Sequence, residues 1–190
     1  CLRGFLKYLY HERKIIKRDL APLLVGPPMF AQTKLPKFLR RQQVQKLFKS
    51  LKLTAPAVVR TYAMVHVAYA LGLRPVEISR ITLYDISFQT EELTLRDRKG
   101  QNPTTLPIPE DTLKAIALYL TKGRPKSPSR HLFLTHYFPH RPARANTVAL
   151  CISKAMKQAE LPSSAYWLRH TYAQNLLQNQ ATIYEIKEML

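Results

Sequence analysis

Two arginines stand in apolar frames, each beside an expected helix end. Arg74 lies in Ala70-Leu71-Gly72-Leu73-Arg74-Pro75-Val76-Glu77-Ile78, and Arg169 in Tyr166-Trp167-Leu168-Arg169-His170. A guanidinium in an apolar setting is costly unless an anion answers it. Two of them in a chain of net charge +18 point to one shared anion. Phosphate is the natural choice, because its oxygens match planar, bidentate donors. The chemistry would be phosphoryl transfer. Its transition state spreads charge over non-bridging oxygens that fixed guanidiniums stabilise. Glu77 lies three residues after Arg74, on or near its helical face, where an i,i+3 ion pair is possible. Read singly, each arginine is also compatible with an ordinary interhelix ion pair.

The elements that must position these residues are mostly helical. Leu2, Phe5, Leu6 and Leu9 recur at helical spacing, so the chain opens on an amphipathic helix. Residues 25–36 hold Gly26-Pro27-Pro28 and Lys34-Leu35-Pro36 and read as an extended linker. Arg41 to Leu51 has Val44, Leu47, Phe48 and Leu51 on one face, whereas Ala55 to Leu71 is apolar nearly all round, as a central core helix is. Gly72 stops that helix, and Pro75 suits the first turn of the next. Arg74 therefore sits at a turn between helices. Leu93 and Leu95 alternate with Thr94 and Arg96, and Leu106 and Ile108 flank Pro107. Between them lies a turn-forming cluster, Arg98-Lys99-Gly100-Gln101-Asn102, so a hairpin is expected. Pro109-Glu110-Asp111 opens a helix with Leu113, Ile116, Ala117 and Leu120 inward. Two basic loops follow, over 122–130 and 138–144, around the apolar run Leu132-Phe133-Leu134. Asn146 is expected to cap a helix to about Glu160. Ser163 and Ser164 precede the helix bearing Arg169, and Thr182 precedes the last one. The fold class expected is mainly α with a small antiparallel β-sheet.

These segments resemble the tyrosine recombinase (integrase) superfamily of DNA strand-exchange enzymes. Gly72-Leu73-Arg74 with Glu77 looks like the family's box around its first catalytic arginine. Tyr166-Trp167-Leu168-Arg169-His170 looks like its His-x-Leu-Arg-His box, with tyrosine in the first histidine slot. The hairpin segment from Leu93 to Ile108 resembles the one that carries the family's catalytic lysine. The resemblance implies a catalytic core like that of type IB topoisomerases. A tyrosine attacks the scissile phosphate to form a 3′-phosphotyrosyl intermediate, and the 5′-hydroxyl of another strand resolves it. No cofactor or metal is required. By position, Arg74 and Arg169 match the phosphate-clamping arginines, and Lys99 the lysine that protonates the leaving oxygen. A solvated turn lysine is the rival reading of Lys99. Tyr166 would donate a hydrogen bond to a phosphate oxygen, although a phenol of ordinary pKa about 10 is a poor base. It reads equally as a packed helix tyrosine. His170 is expected to support helix packing. The resemblance further implies that 1–24 is the tail of an N-terminal core-binding domain, 25–36 a linker and 37–190 the catalytic domain, incomplete at its C-terminus. The nucleophile would then lie beyond Leu190, and the chain's own tyrosines would not replace it. The family works as a homotetramer on two duplexes.

Composition narrows the partner. Lys+Arg number 30 against 12 Asp+Glu, and the pI is about 10.2. A domain this basic meets a polyanion, and double-stranded DNA fits best. Lys34, Lys37, Arg40, Arg41, Arg98, Arg124, Lys126, Arg130, Arg141 and Arg144 are the DNA-binding candidates. No apolar run is long enough to span a bilayer, and no stretch joins a basic face to a strongly apolar one, so no membrane partner is expected. Two cysteines, Cys1 and Cys151, form neither a disulfide framework nor a zinc pattern. Cys151 is expected to pack in the core. The expected setting is cytoplasmic and nucleoid-associated, in a prokaryote or mobile element. The chain begins on Cys1, so a piece of a longer protein is expected. Two other readings stand beside a recombinase. One is a non-catalytic DNA-binding relic. The other is a basic RNA-binding protein, which the long apolar helix and only 5 glycines disfavour.

Overall fold

The computed structural model describes residues 2–24, 37–96, 103–162 and 164–189. The chain divides into two units, Cys1–Leu35 and Pro36–Leu190. The first carries helix α1 (Leu2–His11) and a 3-10 turn at Ala21–Leu23. The apolar side chains of α1 repeat at helical spacing, yet none is fully buried, and Leu2 and Phe5 are exposed. Ala21 is buried, and its N–H donates to the Asp19 carboxylate at 2.9 Å.

The second unit is built on α3 (Pro56–Leu71), which is apolar on nearly every side and buries Ala63, Met64, Val65 and Val67 completely. Around it pack α4 (Pro75–Arg80), α5 (Glu110–Leu118), α6 (Ala145–Gln158) and α7 (Tyr166–Gln178). Helix α2 (Arg41–Ser50) lays Val44 and Leu47 inward against α6, and α8 (Ile183–Met189) packs on α7. The final helix starts as its sequence predicts. The Thr182 hydroxyl accepts from the Glu185 N–H (3.3 Å), and the Glu185 carboxylate accepts from the Thr182 N–H (2.7 Å).

The sheet is small and antiparallel, in the order β1 (Ile86–Ser87), β2 (Glu92–Leu95), β3 (Thr104–Pro107). Leu93 pairs with Leu106, which puts Leu93, Leu95 and Leu106 on the core face and Thr94 and Thr105 on the other. Pro107 is tolerated because β3 is an edge strand. The tip of this hairpin, including Arg98 and Lys99, lies outside the described residues, as does the linker with Lys34.

One expectation, the cap at Asn146, is corrected, and other features were not foreseen. Strand β1 is an addition with no alternation long enough to announce it. Leu132-Phe133-Leu134 is fully buried but makes only isolated bridges, Thr82 with His131 and Leu134 with Pro142. Asn146 does not cap α6, which starts at Ala145 with Arg144 at the cap position. Past α5 the chain widens into a π-helical turn, Tyr119–Gly123. That turn sinks the Tyr119 ring into the core, and its hydroxyl accepts a hydrogen bond from the Leu134 N–H at 3.1 Å.

At the start of the second unit, the Leu39 N–H donates to the Thr171 hydroxyl of α7 at 2.8 Å. That hydroxyl in turn donates to the Trp167 carbonyl at 2.7 Å. Lys37 lies 5.7 Å from the Trp167 ring centre.

Candidate active site

Helix α3 ends where Gly72 turns left-handed, at φ 61°. Without a Cβ the residue adopts this conformation at little cost. The reversal drops Leu73 into the core and leaves Arg74 extended, at the N-cap of α4. Pro75 then fixes the first turn of α4, and Glu77 becomes its third residue. From there the Glu77 carboxylate reaches back. One oxygen (Oε2) accepts the Arg74 backbone N–H at 2.6 Å, and the other (Oε1) accepts the Arg74 guanidinium at 3.1 Å.

Arg169 enters from α7. Its guanidinium donates to the Gly72 carbonyl at 2.7 Å and lies 3.7 Å from Glu77 Oε2, an ion pair too long for a hydrogen bond. Side-chain exposures are 36% for Arg74, 11% for Arg169 and 6% for Glu77. A single buried carboxylate therefore stands between two guanidiniums, and the cluster keeps a net positive charge. Sheltered from water, that charge acts through a lower effective dielectric than a surface arginine would. A phosphate placed here would meet donors already fixed in place, so little reorganisation would be needed as its charge grew.

The remaining candidates fall into distinct settings. Tyr166 is the first residue of α7, one turn before Arg169, and is exposed, which is not the packed position that was its rival reading. His170 is exposed rather than packed between helices. Arg40 and Arg41 stand exposed at the start of α2, and Lys126, Arg130, Arg141 and Arg144 on the two basic loops. Arg130 lies 5.6 Å from the Tyr84 ring centre. The Ser127 hydroxyl donates to the His140 carbonyl at 3.3 Å and ties the two loops together. Arg124 differs from these. Its guanidinium donates to the carbonyls of Ser129 (2.6 Å), His131 (2.9 Å) and Leu132 (3.1 Å), so it braces a loop from a half-buried position.

Sequence reasoning missed several supporting groups. Buried Asp85 accepts the Thr82 N–H (2.8 Å), the Thr82 hydroxyl (2.7 Å) and Arg96 Nε (3.0 Å). With Glu77, Arg80, Tyr84 and Arg96 it lines a cavity of about 570 Å³. The Thr82-x-x-Asp85 spacing was a readable turn signal. Arg60 left none. It sits inside α3, buried, with its guanidinium on the Leu134 carbonyl (2.6 Å) and the Cys151 sulfur (3.5 Å). Cys151 packs against the core as expected, half-buried and beside the Arg60 guanidinium. His66 is buried on the same helix, and burial pushes its pKa down to about 4, with Asp111 opposing the shift. Among the described residues no group of three or more His, Cys, Asp or Glu is placed to hold a metal ion. No helix among them is long and apolar enough to cross a membrane.

A sequence profile of the phage integrase family matches residues 37–190. The chain is 28% identical over 194 residues to tyrosine recombinase XerD of Listeria innocua, covering all of this chain and 64% of that protein. It is 27% identical over 197 residues to tyrosine recombinase XerC of Bacillus subtilis, covering 63% of it. Among solved structures, XerA recombinase matches with a TM-score of 0.72 at 20% identity, over 100% of this chain and 72% of that one. XerH recombinase, in a post-cleavage complex with a palindromic difH substrate, matches at 0.79 and 17% identity, over 100% and 57%. At such identities the two structures establish the fold. The chain spans about half to two thirds of the length of the curated relatives it matches.

Proposed function

The chain belongs to the phage integrase family, and from that premise we propose that it is the DNA-engaging catalytic part of a site-specific recombinase or integrase. The observation that carries the reading is the carboxylate-bridged arginine pair, Arg74–Glu77–Arg169. In this reading the two guanidiniums hold the scissile phosphate and Glu77 fixes their spacing. Tyr166 donates to a phosphate oxygen, and Lys99 protonates the leaving 5′-oxygen. A tyrosine hydroxyl attacks the phosphorus, the P–O5′ bond breaks, and a 3′-phosphotyrosyl link holds the energy of the broken bond for rejoining. Lys34, Lys37, Arg40, Arg41, Arg98, Lys126, Arg130, Arg141 and Arg144 contact duplex phosphates. Residues 1–24 belong to a DNA-clamping domain joined by 25–36 to the catalytic domain, and the whole protein works as a homotetramer on DNA, in the nucleoid of a prokaryote or of a mobile element's host.

The test is strand cleavage by the whole protein on a nicked suicide duplex that traps the covalent intermediate. Wild type is expected to form the adduct, and Arg74→Ala and Arg169→Ala to lose it by at least about two orders of magnitude, as removal of a transition-state donor does. An adduct undiminished in both variants ends the reading.

A further inference from the structure

The most exposed aromatic rings of the second unit are neighbours. Tyr137 is 85% exposed and Phe138 90%, at the tip of the loop from Thr135 to Pro142. Bare adjacent rings cost solvation free energy, and a surface that retains them has a use for them. The loop beneath is rigidly made. The Thr135 N–H donates to the Arg141 carbonyl (2.8 Å), and the Arg141 N–H to the Thr135 hydroxyl (3.1 Å). The His140 ring meets the Thr135 carbonyl (3.1 Å), and the Ala143 N–H donates to the Phe133 carbonyl (2.9 Å). Below these, Leu134 is held on one side by the Tyr119 hydroxyl and on the other by buried Arg60. So the rings stand on a fixed base, and little backbone freedom is lost when they meet a partner.

The surroundings say what that partner is. Arg141 and Arg144 follow on the same loop, and Lys126 and Arg130 lie on the loop tied to it by Ser127. Aromatic rings set among cations suit a ligand that offers flat π-faces and regular negative charge together. Nucleic acid offers both. Phosphate contact alone requires no aromatic ring, whereas proteins that unstack a base step insert apolar side chains for that purpose.

We propose that Tyr137 and Phe138 form a wedge that stacks against, and partly unstacks, a base step of bound duplex DNA, while Arg141 and Arg144 hold the flanking phosphates. The inference rests on the DNA-binding reading above and adds to it a contact with the bases. Pyrimidine–purine steps unstack most readily, so the wedge should favour TA steps.

The test uses the 190-residue chain and a duplex of alternating dA and dT, with permanganate as the probe of unstacked thymine. Affinity is read by fluorescence anisotropy across a salt series. Bound wild type is expected to make thymines reactive. Phe138→Ala and Tyr137→Ala are expected to lose that reactivity and to bind roughly ten-fold more weakly, the order found for loss of one stacked base. Their salt slope should stay unchanged, whereas Arg141→Ala should reduce it by about one. Phe138→Trp should restore reactivity. If both alanine variants bind and react as wild type does, the wedge is wrong and the DNA reading stands. If wild type does not bind duplex at low salt, the DNA reading falls and takes the wedge with it. Tighter binding to single-stranded RNA of the same length than to the duplex also overturns it. Circular dichroism of the alanine variants should match wild type. A loss of fold would show that the rings serve packing.

Discussion

Glu77 touches both arginines, and substitutions here separate geometry from charge. Glu77→Gln keeps the shape but removes the charge, so DNA affinity should change little while adduct formation by the whole protein falls about 100-fold, the scale of a misplaced reacting group. Equal loss of both would show that Glu77 serves only the fold. The two arginines also differ. Arg169 is nearly enclosed and holds the Gly72 carbonyl, so Arg169→Ala should cost about 3 kcal/mol in urea unfolding. Arg74 is a third exposed, and Arg74→Ala should cost under about 1 kcal/mol. His66 gives a pH prediction. Its folded pKa, about 4, lies below the ordinary 6.5. As pH falls, the unfolded chain therefore takes up the proton first. Stability is complete above about pH 6.5 and declines towards pH 4, by on the order of 3 kcal/mol at most. Denaturant midpoints at pH 7 and 4.5 measure it, and His66→Phe should flatten the difference. Arg74, Glu77 and Arg169 were legible in the sequence because each is charged in an apolar frame. Arg60 and Asp85 were not. Their partners are backbone carbonyls and hydroxyls brought near only by folding.

At the scale of elements, residue type settled the joints best. Gly72 and Pro75 between two apolar helices left one geometry for the α3–α4 turn, and the alternation of Leu93 and Leu95 with Thr94 fixed which strand face is buried. The π-helical turn at Tyr119 and the short β1 were invisible, because both are set by what they pack on. Gly72→Ala tests the joint. A Cβ at a left-handed φ costs about 1–2 kcal/mol, and the shift would move the carbonyl that Arg169 holds. The thermal midpoint should fall by several degrees, with adduct formation by the whole protein reduced beyond what stability explains. An unchanged midpoint would mean that the turn relaxes freely.

For the molecule as a whole, charge sets the behaviour. Lys37, Arg40, Arg41, Lys126, Arg130, Arg141 and Arg144 are exposed. If four to six of them meet phosphates, log affinity for duplex should fall with log salt at a slope of about −4 to −5. A flat dependence would refute a phosphate interface. The 190-residue chain should also yield no covalent adduct on a suicide duplex, since Tyr172 lines an apolar groove and Tyr184 is exposed on α8, neither at the position that the resemblance assigns to the nucleophile. Mass spectrometry finding either tyrosine esterified would refute this. Last, the bond from the Leu39 amide to Thr171 joins the entrance of the second unit to the helix of Arg169, two residues from that arginine. In the proposed reading, the position of the chain entering the second unit is thereby tied to the helix that carries one of the two phosphate-holding arginines.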